Sequence, residues 1–333
     1  MSDAGPFISV VMIGCGNFAR RYHVPTLLAR PDARLAAIVD PTPSEGAIAL
    51  AQQTGALLVS ELALVPDIAC TVMAIVSSPH TLHAKHVEAA LVRGWHVLCD
   101  KPFVMHAAEA EFLAAQADRH NLINAVAFNR RLDRGGLRAR QALRSGAIGT
   151  VRFIQTIQLG YEMGGWFINP ELGGGGPYSG RATHLADLVP WLIDRKPDRV
   201  RSRLRGGTPE RTDRGGFIEV QFEGLECQLT CIEEGLAGWD EIRLFGDDGL
   251  IELRRPLKHP LGWEFRLLNQ RGDASEFLEA QPVHGASTAA FFQALRGKGP
   301  VSCTFAEAIP SVAIIEKAFE SGRSNGDWRV LGL

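Results

Sequence analysis

The segment Gly14-Cys15-Gly16-Asn17-Phe18-Ala19 follows directly on the largely apolar run Phe7-Ile8-Ser9-Val10-Val11-Met12-Ile13. A β-prone run that enters two glycines one residue apart, with a small residue beyond them, leaves the backbone few choices. Gly14 permits a tight turn, Gly16 lets another group approach the main chain, and Ala19 lets a helix pack closely on the strand. Arg20 and Arg21 lead into that helix, whose N-terminus offers N–H groups and a positive dipole end to an anion. The spacing matches the turn that cradles a dinucleotide pyrophosphate, so Gly14, Gly16, Asn17, Phe18 and Ala19 are candidate cofactor-binding residues.

A second apolar run, Leu35-Ala36-Ala37-Ile38-Val39, ends in Asp40, about 20 residues past Ala19, where an acid that binds the adenosine ribose is expected. An acid here accepts hydrogen bonds from both ribose hydroxyls and repels a 2′-phosphate. Pro41-Thr42-Pro43-Ser44 supplies no Lys or Arg to offset that repulsion, so the segment favours NAD over NADP.

Further along, apolar strand-like runs alternate with helix-like segments. Helices are predicted over 44–53, 80–93 and 107–119, and strands over 57–59, 69–76, 95–99 and 123–128. Continuous apolar strands separated by helices predict an α/β fold with a parallel sheet covered on both faces. Ligands of such sheets lie beyond the carboxyl ends of the strands. That rule groups Asp100, Lys101, Ser77, Ser78, Pro79 and Asn129 with the glycine turn, and His83 is counted with the same face. The spacing of His80, His83 and His86 invites a metal, but no carboxylate or Cys partner accompanies it, and none is expected.

Beyond Thr150 the pattern changes. Strands are predicted over 151–158, 200–204, 217–222, 226–232 and 240–245 with few helices between them, as in a largely antiparallel open sheet. Helices are predicted over 183–194, 287–296 and 305–321, the last returning to the first domain. The expected division is a dinucleotide-binding Rossmann domain over 1–128 and a substrate and oligomerisation domain over 129–333, the pattern shifting near 146–150.

With 333 residues and a net charge of -2, the chain has length for about two domains and no basic footprint for nucleic acid. No apolar run reaches the roughly 18 residues that span a bilayer. No basic n-region precedes the first strand, and a cytoplasmic location is expected. The six cysteines form neither a zinc pattern nor a disulfide framework and read as reduced, structural thiols.

Taken together, Gly14-x-Gly16-x-x-Ala19, Cys99-Asp100-Lys101-Pro102, Asn129-Arg130-Arg131, Gly146-Ala147-Ile148-Gly149 and Gly174-Gly175-Gly176 followed by His184 and Asp187 resemble the glucose–fructose oxidoreductase / inositol dehydrogenase / MocA-like family. The resemblance spans almost the whole chain. It implies NAD(P)-linked hydride transfer at a carbinol carbon of a sugar, sugar derivative or cyclitol, and a homodimer or homotetramer built on the second domain's sheet.

Lys101 also has a physical case. Beside a cationic nicotinamide, like charge and desolvation lower a lysine's pKa, fitting it to hydrogen-bond the reacting hydroxyl or to take its proton. The resemblance assigns His184 an acid/base role, and imidazole titrates in the right range. Lys101 and His184 are therefore the catalytic candidates. Asp100 stands where the family usually has Glu. Gly180 stands where the family commonly carries an aspartate, four residues before His184. Three readings follow: Lys101 and His184 suffice, the substrate supplies or needs something else, or the protein binds without turnover as an NAD- and sugar-sensing regulator. Tyr161, Trp166 and Asn169, then Tyr178 and Arg181, join Lys101 and His184 as candidate substrate contacts, because sugar faces stack on aromatic rings while their hydroxyls need polar partners.

Overall fold

Strand β1 (Ile8–Ile13) is buried along its whole length, as expected for a strand covered on both faces. It pairs in parallel with β2 (Ala33–Val39) on one side. Four further strands, β3 (Leu57–Val59), β4 (Val72–Val76), β5 (His96–Cys99) and β6 (Asn124–Val126), complete a six-stranded parallel sheet in the order β3-β2-β1-β4-β5-β6. The computed structural model describes residues 7–208, 210–233, 238–256, 262–280 and 285–333. Sequence order reverses between β1 and β4, which makes their carboxyl ends a topological switch point. Among the connecting helices, Glu45–Thr54 is capped by Ser44, whose Oγ accepts the Ala47 N–H (3.3 Å), and is closed by Gly55 at φ 69°.

The chain divides into two compact units. The first comprises Met1–Val104, Ala108–Asn129 and Pro282–Glu307, and the second Met105–Ala107, Arg130–Gln281 and Ala308–Leu333. The helix Ala286–Leu295 therefore belongs to the first unit, where Phe291 and Phe292 are fully buried among Val10, Leu27 and Leu98. The expectation that the last helix returns is corrected here: most of Phe305–Gly322 lies in the second unit, and the preceding helix makes the return. Expected helix 80–93 is a 3₁₀ turn, His80–Leu82, followed by the α-helix His83–Val92.

In the second unit, β7 (Val151–Leu159), β8 (Arg199–Thr208), β9 (Arg211–Phe222), β10 (Leu225–Ile232), β11 (Trp239–Gly246), β12 (Gly249–Pro256), β13 (Gly262–Asn269), β14 (Gly272–Glu279) and β15 (Arg329–Val330) form a nine-stranded sheet. Its order is β14-β13-β12-β11-β7-β10-β9-β8-β15, antiparallel except for β7 beside β10. One face packs Ile154, Val220, Leu229, Leu244 and Leu253 against the helices Arg134–Arg144, Thr183–Ile193 and Phe305–Gly322. The other carries cross-strand ion pairs, including Arg201–Glu219, Arg243–Glu252 and Arg254–Glu264. No disulfide joins any of the six cysteines. Among the described residues, no helix is long and apolar enough to cross a membrane.

Candidate functional site

In the first unit, the ends of β1, β2, β4 and β5 meet around the glycine turn. Gly14 sits at φ 83°, and a Cβ there would stand 2.7 Å from the Ser77 carbonyl oxygen and the Ser78 nitrogen. Only glycine fits this contact between the loops after β1 and β4. Around Gly16 the space is open, with nothing within 4 Å of a Cβ position, and Asn17 and Phe18 are exposed beside it. Ala19 is fully buried and begins a π-helical turn, Ala19–His23, which closes with the Val24 N–H on the Ala19 carbonyl. Such wide turns recur at functional sites.

Asp40 ends β2 with its carboxylate turned onto this loop. Oδ2 accepts the Cys15 N–H and Oδ1 the Thr42 N–H, each at 3.1 Å. A glycine turn with open main chain at Gly16 and a carboxylate tied to its Cys15 N–H has the form of a dinucleotide cradle. Arg20 donates to Asn17 Oδ1 at 2.5 Å and lies on Gly46, where a Cβ would meet its guanidinium. The turn thus brings to the helix after Asp40 a cation that the segment Pro41–Ser44 itself lacks.

At the end of β5, Asp100 is buried and doubly held: Ser77 Oγ donates to Oδ2 (2.6 Å), and His23 Nε2 lies 2.9 Å from Oδ1. Burial alone would push this carboxyl up, but the charge and hydrogen bond of His23, the bond from Ser77 and the nearby His83 hold it below the ordinary aspartate value. Lys101 follows on the turn, half-buried, joined to Pro102 by a cis peptide. Ser78 Oγ lies 2.8 Å from His86 Nδ1, Pro79 leads into the next helical turn, and Asn129 is buried just past β6. His83 departs from expectation. Its ring is 1% exposed, with Nδ1 2.7 Å from the Pro102 carbonyl oxygen and Nε2 2.9 Å from that of Ser78. It therefore joins the two loops from inside the unit and has no surface for a cofactor. Burial keeps its pKa below the usual value. Among the described residues no group of three or more His, Cys, Asp or Glu is placed to hold a metal ion.

In the second unit, the glycine run is braced by a residue that sequence reasoning passed over. Asp213 accepts N–H groups from Gly176 (2.8 Å), Tyr178 (3.4 Å) and Gly215 (2.7 Å), and burial, reinforced by Glu233, raises its pKa. After the run comes a second π-helical turn, Tyr178–Ala182, with Gly180 buried inside it and the Thr183 N–H returning to the Tyr178 carbonyl. His184 then lies half-buried in the first turn of Thr183–Ile193. Asp187, buried three residues on, receives a forked pair of bonds from Arg131, the shortest at 2.6 Å.

Tyr161 is 42% exposed. Trp166 is half-buried and stacked on Phe167 with ring centroids 3.8 Å apart. Asn169 is exposed but spends Oδ1 on the Glu171 N–H (2.9 Å), capping the helix Pro170–Gly173. Arg181 donates to Glu233 Oε1 (2.7 Å) and to the Tyr161 carbonyl (3.1 Å), while Glu233 Oε2 accepts the Met163 N–H (3.3 Å). The pair thus pins the loop that carries Tyr161. Tyr178 does not reach this surface: it is fully buried, its hydroxyl donating to the carbonyls of Arg203 (3.3 Å) and Phe217 (3.1 Å), with its ring against Phe319. Large and aromatic, it was drawn into the core by the hydrophobic effect and by acceptors for its one polar atom.

Two family profiles match the chain: an oxidoreductase family with an NAD-binding Rossmann fold over residues 8–128, and the GFO/IDH/MocA C-terminal domain over residues 137–252. D-glucoside 3-dehydrogenase of Escherichia coli is 30% identical over 196 residues, covering 56% of this chain and 54% of that protein, so the match spans about half that relative's length. The 1,5-anhydro-D-fructose reductase of Ensifer adhaerens is 24% identical over 94% of this chain and 96% of its own. The crystal structure of aldose-aldose oxidoreductase from Caulobacter crescentus, complexed with glycerol, shares the fold at a TM-score of 0.81, with 21% identity over 97% of this chain and 99% of that one.

Proposed function

Because the chain belongs to the GFO/IDH/MocA oxidoreductase family, whose N-terminal domain is an NAD-binding Rossmann fold, we propose that it is an NAD-dependent oxidoreductase acting on a carbinol carbon of a sugar, sugar derivative or cyclitol. The observation that carries the reading is the Asp40 carboxylate bonded to the Cys15 N–H inside a glycine turn left open at Gly16. Bound NAD supplies a nicotinamide ring that accepts or returns a hydride. The glycine turn holds the pyrophosphate and Asp40 the ribose hydroxyls. Lys101, next to the fixed Asp100, hydrogen-bonds the substrate hydroxyl, and Lys101 or His184 moves its proton. Trp166 and Tyr161 offer aromatic faces to the substrate ring. The named relatives, a glucoside dehydrogenase and an anhydrofructose reductase, support a sugar-like substrate.

Gly180 removes a carboxylate that the family commonly places before the histidine. In our reading Lys101 and His184 suffice without it. Assembly as a homodimer or homotetramer through the second sheet, in the cytoplasm, belongs to the same proposal. The test is NADH formation by the purified protein across a panel of sugars, amino sugars and cyclitols, with NADP in parallel. Turnover with NAD that vanishes in Lys101→Ala supports the reading. Tight NAD binding with no turnover on any substrate would overturn it in favour of a non-catalytic sensor.

A further inference from the structure

A chain of four polar side chains, three of them buried and Ser77 half-buried, runs through the base of the Lys101 turn. Thr288 Oγ1 lies 2.7 Å from His23 Nδ1, His23 Nε2 lies 2.9 Å from Asp100 Oδ1, and Ser77 Oγ donates to Asp100 Oδ2 at 2.6 Å. The four come from separate pieces of the first unit: the helix Ala286–Leu295, the π-helical turn after the glycine loop, and the ends of β5 and β4. His23 and Thr288 are both fully buried. Nε2–H of His23 donates to one oxygen of the carboxylate and Ser77 O–H to the other, while Nδ1 and the Thr288 hydroxyl share the bond at the far end. Burying such groups carries a desolvation penalty that apolar side chains avoid. In return the polar chain fixes the direction of Asp100 and keeps a negative charge there.

We infer that His23 is a positioning residue for the proposed reaction: with Thr288 and Ser77 it locks the Asp100 carboxylate, and through it the Lys101 turn, at the carboxyl end of β5. The inference rests on the cofactor reading above. It also gives the helix Ala286–Leu295 a part in the site, since Thr288 is the anchor at the far end of the chain.

The groups facing Asp100 are His23 from the π-helical turn, Ser77 after β4, His83 from its helix, and Cys99 on its own strand, with Lys101 next in the chain. Without His23, burial governs the carboxyl and protonates it at a higher pH. The test is calorimetric titration of NAD+ into the full chain from about pH 6 to about pH 9, with melting curves in parallel, for wild type, His23→Phe, His23→Asn and Thr288→Val. Wild-type affinity should stay level. His23→Phe should lose about tenfold at the acid end and recover with rising pH, because affinity then follows the ionised fraction of Asp100. Thr288→Val should lose in the same direction by less, and His23→Asn, which keeps a donor for the carboxylate, should restore most of the affinity. A folded His23→Phe with a level profile, whether at wild-type or uniformly reduced affinity, would overturn the inference. If that variant does not fold, a level profile for Thr288→Val would do so. Failure of the wild type to bind NAD+ at any pH would instead remove the cofactor reading and the inference with it.

Discussion

The Asp40 carboxylate accepts the backbone N–H of Cys15 at 3.1 Å, so the acid that ends β2 is fastened to the loop that ends β1. Its other oxygen takes the Thr42 N–H. In the proposed site this carboxylate discriminates between cofactors by charge, and Arg20, resting on Gly46, is a nearby cation left once that charge is removed. Asp40→Ala should therefore weaken NAD by roughly 10- to 100-fold, the scale of hydrogen bonds to a charged group. NADP should lose less or gain. Dissociation constants for both cofactors check this, and an equal loss for the two would contradict it.

Lys101→Ala should lower kcat by about 100- to 10,000-fold, the usual reach of general acid–base catalysis. The side chain is half-buried, so the melting temperature should move little. Lys101→Arg should not restore turnover, because a guanidinium does not give up its proton near neutral pH. Steady-state NADH formation on the best substrate decides it.

Tyr178→Phe separates a core role from a substrate contact. The hydroxyl donates to the carbonyls of Arg203 and Phe217 from a fully buried ring. Its loss should cost about 1 kcal/mol in denaturant unfolding and leave KM for the substrate unchanged. A large rise in KM at unchanged stability would return Tyr178 to the substrate surface.

Stability should fall as the solution is acidified through the histidine range. Burial lowers the His86 pKa to about 4, and His83 shifts the same way for the same reason. Between that value and the ordinary histidine value of about 6.5, the unfolded chain binds more protons than the folded one, so stability drops as pH falls through this window. Allowing for solvent screening of the partly buried His86, its share is on the order of 1–2 kcal/mol. His86→Gln should flatten the slope by that amount in urea unfolding at about pH 4.5 against about pH 7.

The parallel sheet was legible because its strands are apolar on both faces and its turns carry their own chemistry. The run Ile8–Ile13 and the following Gly14 and Gly16 reveal strand, turn and ligand side together. Strands β12 and β14 left no such signal. Gly272–Glu279 is an edge strand exposed along almost its whole length, so no apolar alternation marks it, whereas β13 does alternate, Trp263, Phe265 and Leu267 against Glu264 and Arg266, a strand signal that went unread. In the site, the residues that bind through backbone or end a strand could be read from position. His23 and Asp213 could not: each is defined by partners 77 and 37 residues away, Asp100 and Gly176. Tyr178 misled for a related reason, since composition shows an aromatic residue near a glycine run and not which way its ring turns.

The return of Pro282–Glu307 to the first unit has a consequence for how the protein is made. Phe291 and Phe292 complete the packing around Val10, Leu27 and Leu98, yet they leave the ribosome long after those residues. Through most of synthesis the nucleotide-binding half waits with an apolar face uncovered, the kind of surface that chaperones engage and aggregates grow from. A piece cut at the end of β6 would stay in that state for good. The two halves of this chain are bound by their order of manufacture: the first is finished only when nearly all of the second has been made.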